Sequence, residues 1–151
     1  MDIQNSSQGR ALNSVFRGMR IATSSLSAER ERVDTIAKNI ANARTTYDPT
    51  TGLPYQREQV SFAPIMERAS GGSERFAGIR VDQVTKDTSP FEEVFDPTHP
   101  DADDRGVVLY PNVNTMKEMA DLVTAVRSYE ANLSVQENFE RMADRALRLA
   151  D

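Results

Sequence analysis

All seven prolines of this 151-residue chain lie between residues 45 and 113, together with five of its seven glycines. Proline disrupts the interior of a helix because it lacks the backbone N–H and its ring clashes with the preceding turn. Residues 1–44 and 114–151 are therefore free to form long uninterrupted helices, whereas the middle is divided into short pieces. This distribution predicts a mainly α chain with a small β-rich insert.

The N-terminal flank carries the heptad pattern of a helix that packs on another helix. From about Ser7 to Ala43, seam positions recur in alternating steps of four and three, as in a coiled coil. Gly18 and several Ser and Thr residues lower the helix propensity, so we expect this helix to depend on packing partners. The predicted seam comprises Leu12, Phe16, Met19, Thr23, Leu26, Arg30, Val33, Ala37 and Ile40, widened by Val15, Ala22, Ile36 and Ala43.

The C-terminal flank, about Thr115 to Ala150, is predicted to be a stronger helix with two apolar faces. Thr115 and Glu118 have the spacing of a capping box. One face comprises Met116, Met119, Leu122, Val123, Val126, Tyr129 and Leu133; the roughly opposite face comprises Val135, Phe139, Met142, Ala146 and Leu149. Two faces indicate different neighbours at the two ends of the helix, or a bend within one monomer.

The lengths and charges of the flanks predict that they pair with each other as an antiparallel coiled coil. Residues 1–44 carry seven basic and four acidic side chains, and residues 114–151 carry five and seven, so their net charges are opposite. The predicted domains are an axial helical domain formed by 1–44 and 114–151 and a β/loop insert at 45–113. Its predicted strands are Tyr55–Phe62, Gly78–Val84, Phe91–Phe95 and Gly106–Tyr110, with a loop at Ser70–Ser73.

We find no pattern of residues for catalysis or for cofactor or metal binding. The single histidine, His99, has no nucleophile motif beside it. The Asp101–Asn112 stretch copies part of a calcium loop but has Arg105 and Asn112 where oxygen ligands and a glutamate are required, so a solvated turn is expected. The net charge of −5 argues against non-specific nucleic-acid binding. The chain has no cysteine and no apolar run of membrane-spanning length, and we expect no cleaved signal.

Several motifs occur in an order and spacing that resemble a known family. The sequence Asn39-Ile40-Ala41-Asn42-Ala43-Arg44-Thr45-Thr46 closes the first predicted helix. It resembles the N-I-A-N-A-x-T signature of the bacterial flagellar rod and hook proteins, with Arg44 where Asn is common. Further stretches resemble the short proximal-rod members of that family, namely Ser89-Pro90, Asp96 to Asp103, Pro111 to Asn114, Glu118-Met119 and Arg127 to Asn132.

The resemblance implies a structural, non-catalytic subunit of the rod that crosses the periplasm. Such a subunit would be exported through the flagellar type III apparatus and would assemble into a helical tube that transmits torque and surrounds the export channel. The implied partners are copies of itself, the rod proteins FlgB, FlgF and FlgG, the adaptor FliE and, through it, the MS ring protein FliF. The residues expected to carry assembly are Leu12, Phe16, Met19, Leu26, Val33, Ile36, Asn39, Ile40, Asn42, Met119, Val123, Val126, Tyr129, Leu133, Phe139, Met142 and Leu149.

Two other functional classes remain as alternatives at the level of the sequence. A soluble helical-hairpin adaptor or chaperone would use the same apolar seams on a foreign partner. A cell-wall hydrolase would need a carboxylate or metal centre, and the sequence has no pattern of residues for one.

Overall fold

Two long helices flank two small β-sheets. A computed structural model describes residues 3–68 and 72–148, with side-chain burial defined over 14–68, 72–145 and 148. The elements, in chain order, are α1 (Ile3–Ala41), β1 (Glu58–Arg68), β2 (Glu74–Lys86), β3 (Glu92–Phe95), β4 (Val107–Tyr110) and α2 (Thr115–Arg148). Long terminal helices around a small β insert are thus confirmed. No helix in the described part of the chain has the length and apolarity that crossing a membrane requires.

The first helix ends at a polar cap formed by the asparagine of its terminal motif. The Asn42 side-chain amide donates to the carbonyl of Lys38 at 2.8 Å, and the Asn42 backbone N–H donates to the same oxygen at 3.1 Å. The Thr45 hydroxyl and backbone N–H then donate to the side-chain and backbone oxygens of Asn42. The side chains of Asn42 and Thr45 thus cap the end of the helix, and α1 ends at Ala41 rather than at the predicted Ala43.

The second helix begins with a cap different from the predicted one. The side-chain oxygen of Asn114 accepts the backbone N–H of Lys117 at 3.0 Å, which is the geometry of an N-cap residue. The predicted capping box of Thr115 and Glu118 is therefore wrong. Thr115 is the first helical residue, and the Glu118 carboxylate is used elsewhere, in a buried cluster described below.

The middle of the chain forms two separate two-stranded sheets. β1 pairs with β2, and β3 pairs antiparallel with β4 in the register Glu92↔Tyr110 to Phe95↔Val107. All four predicted strands exist, but β1 and β2 are longer than expected, with 11 and 13 residues. Of the predicted Ser70–Ser73 loop, Gly72 and Ser73 lie outside any strand, and residues 69–71 lie outside the described part.

The chain divides into two compact units, and each helix contributes to both. Unit 1 comprises Met1–Arg30, Phe62–Asp82 and Val126–Asp151, and unit 2 comprises Glu31–Ser61 and Gln83–Ala125. The division of the sequence into 1–44, 45–113 and 114–151 stays a prediction.

Within unit 1, close contacts attach β2 and α2 to the first helix. The Ser24 hydroxyl accepts the backbone N–H of Ile79 at 3.2 Å. The neighbouring Gly78 has φ 149°, and a side chain built there would collide with Ser24. On the other helix, the ring of Phe139 lies so close to Gly18 that an added Cβ would be 2.7 Å from its Cε1 atom. At both positions an added Cβ would force the neighbouring side chain to move.

The buried side of α1 is shifted from the predicted seam by about one residue, or roughly 100° around the helix. Its buried positions include Ala22, Ala28, Ile36 and Asn39. Two of these, Ala22 and Ile36, belong to the line that was expected only to widen the seam. The predicted positions Phe16, Thr23, Arg30 and Ala37 are exposed, and Met19, Leu26, Val33 and Ile40 are half-buried. The small side chains of Ala22 and Ala28 on the buried side allow a neighbouring element to approach closely.

Candidate functional site

A cluster of polar side chains in unit 2 joins the end of α1, the start of α2 and the first residues of β1. Its centre is Glu118, whose side chain has no solvent exposure. One carboxylate oxygen accepts Arg57 Nε at 2.7 Å, and the other accepts the side-chain amide of Asn39 at 3.0 Å. A buried carboxylate is tolerated only when it is paired and hydrogen-bonded, and both oxygens of Glu118 are.

Asn39 uses every hydrogen-bonding capacity of its amide within this cluster. Its Nδ2 donates to the Glu118 carboxylate and, at 2.9 Å, to the backbone carbonyl of Glu58. Its Oδ1 accepts the Tyr55 hydroxyl at 2.8 Å and the Glu58 backbone N–H at 2.9 Å. An amide offers two donors and two acceptor sites, so no other side chain of similar size could replace it without leaving a buried group unpaired.

Arg57 carries the positive charge that compensates the buried carboxylate. Its Nη1 lies 3.3 Å from the Asp87 carboxylate. Burial opposes the arginine's charge, but the hydrogen bonds and negative charges of Glu118 and Asp87 outweigh it and raise the pKa of Arg57 above its usual range. The Ser89 hydroxyl and backbone N–H, with Gln59 and Arg57, lower the pKa of Asp87 to about 2. Arg57 and Asp87 are therefore both ionised at any physiological pH.

A second asparagine ties the loop segments to this cluster. Asn112 Oδ1 accepts the Arg57 backbone N–H at 2.8 Å, and Asn112 Nδ2 donates to the carbonyls of Asp87 and Ser89, each at 3.0 Å. The Lys38 ammonium adds an ion pair with Glu58 at 2.8 Å at the edge of the cluster. The residues that we call the polar junction are Asn39, Tyr55, Arg57, Glu58, Asp87, Asn112 and Glu118.

The acidic turn at residues 96–105 is held by its own carboxylates. Asp96 accepts the backbone N–H and hydroxyl of Thr98, and Asp103 accepts the backbone N–H groups of Arg105 and Val107. These bonds lower the pKa of both aspartates. Asp101 accepts the Thr46 hydroxyl at 2.7 Å. Among the described residues, no group of three or more His, Cys, Asp or Glu side chains is arranged to hold a metal ion.

His99 is part of the same turn and takes part in its folding. Its Nδ1 accepts the Asp101 backbone N–H at 3.1 Å, and its ring meets that of Tyr110 edge-on at 6.2 Å. These contacts give His99 a place in the turn that needs no substrate.

The residues expected to carry assembly fall into three groups by exposure. Exposed ones are Phe16, Met119, Val123, Val126, Leu133 and Met142; half-buried ones are Met19, Leu26, Val33, Ile40, Asn42, Tyr129 and Phe139; buried ones are Ile36 and Asn39. Leu12 and Leu149 fall where no side chain is described. The exposed set includes four residues of one α2 face that follow a heptad spacing.

That exposed line on α2 extends to Met116 at the start of the helix. Met116 is 77% exposed and Val123 is 52% exposed, and Met119, Val126 and Leu133 are also open to solvent. The buried line of the same helix contains Glu118 and Ala125 instead. The helix therefore leaves a row of apolar side chains open to solvent, which is unusual for a monomer.

Part of the polar junction is predictable from the sequence, whereas its centre is not. Asn39 was predicted as a packing residue at a helix end, whereas Arg57, Tyr55 and Asp87 were not singled out. Glu118 and Asn112 belong to the motifs that carry the family resemblance, although no role in a cluster was assigned to them. A detectable signal was the heptad spacing that places Glu118 in line with Leu122 and Ala125, where a charge needs a buried partner.

Comparisons with known proteins agree on a flagellar relationship for both flanks. Residues 19–46 match the family model described as flagella basal body rod protein, and residues 105–149 match the model described as flagellar basal body rod FlgEFG protein C-terminal. The two matches include Asn39 and Glu118, the two polar-junction residues contributed by the helices.

Curated relatives extend this similarity over most of the chain. The flagellar basal-body rod protein FlgC of Bacillus subtilis is 37% identical over 145 residues, which cover 89% of this chain and 97% of that protein. The FlgC of Agrobacterium fabrum is 41% identical over 116 residues, covering 77% and 81%. The FlgC of Escherichia coli O157:H7 is 36% identical over 129 residues, covering 85% and 92%.

Proposed function

The chain belongs to the family of the flagellar basal-body rod protein FlgC, and from this premise we propose that it is a structural subunit of the flagellar rod, assembled through its two helices. The observation that supports assembly most directly is the exposed apolar line of α2 at Met116, Met119, Val123, Val126 and Leu133. Apolar side chains at heptad spacing on an open helix face are typical of a surface that another helix covers.

In this proposal, α1 and α2 pair as an antiparallel coiled coil within one subunit. Each compact unit contains a close contact between the helices, Gly18 with Phe139 in unit 1 and Asn39 with Glu118 in unit 2. From 18 to 39 is 21 residues, and from 139 down to 118 is also 21 residues. Equal and opposite spacings are expected of antiparallel helices, and 21 residues are three whole heptads.

The polar junction fixes the corner at which the helix pair meets the β insert. It connects α1, α2 and β1 through buried, charge-assisted hydrogen bonds, which are directional and stronger than neutral ones. A subunit that transmits torque needs a corner with one defined geometry. Asn39 and Asn42 thereby acquire separate roles: Asn39 in the junction and Asn42 in the cap of α1.

The rest of the proposal concerns neighbours and location. Copies of this chain and the rod proteins FlgB, FlgF and FlgG would surround it, with FliE linking it to the MS ring protein FliF. The assembled tube would cross the periplasm and enclose the export channel, and the subunit would reach it through the type III apparatus. It would act as a non-enzymatic component without a cofactor. Its matched relatives are named as rod proteins, and contacts that do not close on themselves generate tubes.

Substitution on the exposed line of α2 tests assembly without disturbing the fold. Val126 is partly exposed, so Val126→Asp should lower the stability of the isolated chain by only about 1 kcal/mol. We expect the Val126→Asp variant to be expressed, absent from purified basal bodies and unable to restore swimming to a strain that lacks the gene. Leu26→Asp on α1 should give the same phenotype.

Two controls distinguish a specific surface from a general effect of charge. Thr124→Asp lies on the same helix, exposed but off the line, and Ser73→Asp lies in the insert. Both should leave swimming unchanged. Normal swimming with Val126→Asp would contradict the proposal. A folded chain that never enters basal bodies, even as wild type, would instead favour a helical-hairpin adaptor.

A further inference from the structure

A cavity of about 440 Å³ opens on the surface of unit 2, between the segment that follows α1, the β3–β4 sheet and the segment that precedes α2. Its walls include Ala43, Tyr110, Pro111 and Val113, which are buried or half-buried. Concave sites of roughly 300–1,000 Å³ with mainly apolar walls are typical of binding sites. The cavity therefore offers room for an aliphatic side chain of another molecule.

Two side chains of opposite charge, Arg44 and Glu92, also line this cavity. Both are exposed, and within the described part of the chain neither side chain makes a hydrogen bond or an ion pair. Glu92 lies opposite Tyr110 in the register of β3 and β4, beside the apolar wall. A molecule that fills the cavity takes both charges partly out of water, so it needs an acidic and a basic group of its own.

One face of α2 within unit 1 carries the complementary groups. Val126 and Leu133 are 38% and 40% exposed, and Arg127 and Glu130 lie between them in the sequence and are exposed. Neither charged side chain makes a hydrogen bond or an ion pair with any residue that the structure describes. Residues three or four positions apart are neighbours on a helix surface. These four residues, which we call the α2 ridge, therefore combine aliphatic side chains with one positive and one negative charge.

Other charged residues of α2 in unit 1 are already engaged within the chain. Glu137 pairs with Arg141 at 3.7 Å, and Glu140 accepts the side-chain amide of Gln136 at 3.2 Å. A charge that gives up such a partner gains less from a new one, whereas Arg127 and Glu130 have none to give up among the described residues. The α2 ridge is therefore the face of this helix segment that suits the cavity.

We propose that the α2 ridge of one copy of this chain docks on the cavity of a second copy, with Glu130 facing Arg44 and Arg127 facing Glu92. The proposal rests on the rod function proposed above and names one contact between like subunits. Leu133 enters the apolar part of the cavity. Each of the four charges meets an opposite charge, which favours this partner over others and fixes its orientation.

The contact joins two different surfaces, so it is heterologous. Every copy carries one cavity, on unit 2, and one α2 ridge, on unit 1. A row of copies joined in this way keeps the same orientation from each copy to the next, with a free cavity at one end and a free ridge at the other. Where the rotation between copies does not close, such a contact builds a helical filament, as a rod requires.

Cross-linking of introduced thiols in basal bodies tests this contact. The chain contains no cysteine, so introduced thiols are the only ones that this protein contributes. Two differently tagged full-length copies are expressed together, one with Ala43→Cys in the cavity and the other with Ser134→Cys, and purified basal bodies are treated with a short bis-maleimide. Ser134 is exposed and lies one turn from Glu130 on the same face. The matched control carries Val135→Cys, also exposed but about 140° around the helix from Glu130.

The proposal predicts a cross-linked dimer of the two tagged copies for the Ser134→Cys pair, at a yield per incorporated copy about tenfold or more above the Val135→Cys pair. Arg44→Glu in the copy that carries Ala43→Cys should lower that yield about tenfold, and Glu130→Arg in the other copy should restore it. Arg75→Glu, an exposed reversal in β2, should leave the yield unchanged.

The second charge pair gives an independent check. Glu92→Arg in the copy that carries the cavity thiol should also lower the yield about tenfold, and Arg127→Glu in the other copy should restore it. The tags report how much of each copy enters the basal bodies, so a variant that fails to fold is recognised by its absence from them. The other charge pair then decides the outcome.

Three results would overturn the proposal while leaving the rod function intact. They are a control yield equal to that of the Ser134→Cys pair, cross-links only within one copy or to a different protein, or a loss of yield that neither partner reversal restores. Absence of both copies from basal bodies of cells that make them would instead overturn the rod function on which the proposal rests, and the proposal with it.

Discussion

Removal of the Glu118 carboxylate should destabilise the fold far more than removal of a surface carboxylate. Glu118→Ala deletes the hydrogen bonds from Arg57 at 2.7 Å and from Asn39 at 3.0 Å. Breaking a buried ion pair by removing one partner costs about 3–5 kcal/mol. Arg57 is slightly exposed and keeps Asp87 as a second partner, so we expect a loss near the lower end, about 3 kcal/mol.

The assay is urea unfolding of the full-length chain followed by its helical circular dichroism. A loss of about 3 kcal/mol changes the folding equilibrium by roughly a hundredfold. Glu137→Ala is the control, because Glu137 pairs with Arg141 at 3.7 Å on the surface of the same helix, and an exposed pair contributes at most about 1 kcal/mol.

A double substitution separates the buried charge from other effects. Arg57→Met combined with Glu118→Leu removes both charges and fills the space with apolar atoms, so the pair should cost less than the sum of the single changes by about 2 kcal/mol. Equal losses for Glu118→Ala and Glu137→Ala, or strict additivity of the two junction substitutions, would refute the account of the polar junction.

Three further predictions concern backbone geometry, close packing and pH. Gly78→Ala should cost about 1–3 kcal/mol and more than Gly52→Ala in urea unfolding, since both have positive φ but only at Gly78 does a side chain meet other atoms; equal costs would contradict the steric role. Gly18→Ala should destabilise the wild type by about 1 kcal/mol through its clash with Phe139, yet stabilise a Phe139→Ala chain, where only the helix propensity of alanine remains. Because the pKa of Asp87 is lowered from 3.8 to about 2, its contribution to stability is complete above pH 4 and is lost as the pH falls from about 4 to 2. In the Asp87→Asn variant the urea midpoint should therefore change less with pH between pH 4 and 2. An unchanged dependence of the midpoint on pH would exclude Asp87 as the source.

The sequence predicted which elements form but not how the helices are turned. The heptad spacing of α1 was visible, yet the chain buries the line that contains Ala22, Ile36 and Asn39 rather than the predicted line one residue further along. A rule that places the largest apolar side chains inside assumes a monomer. In a subunit whose outer faces are to be covered, small residues can line the inner contact and large ones the outer contact. Periodicity alone therefore does not determine which face of the helix is buried within the chain.

The prediction of a capping box at the start of α2 was wrong for a related reason. Thr115 and Glu118 have the spacing of a capping box, but Asn114 caps the helix and Glu118 pairs with residues 61 and 79 positions away in the sequence. Sequence spacing describes local hydrogen bonds and carries no information on such distant partners. The buried glutamate could be recognised only when Arg57 and Asn39 were placed beside it by the fold.

The most direct test of the central claim is to locate this protein in purified basal bodies by electron cryomicroscopy. Particles containing the wild-type chain should be compared with particles from a strain in which it carries a small tag at Ser73, an exposed position of the insert. The account predicts added density at regular positions on the outside of the rod, with paired helices of α1 and α2 in its wall. Two results would contradict it: tag density in another part of the basal body and none on the rod, or a complete rod in cells that lack the protein.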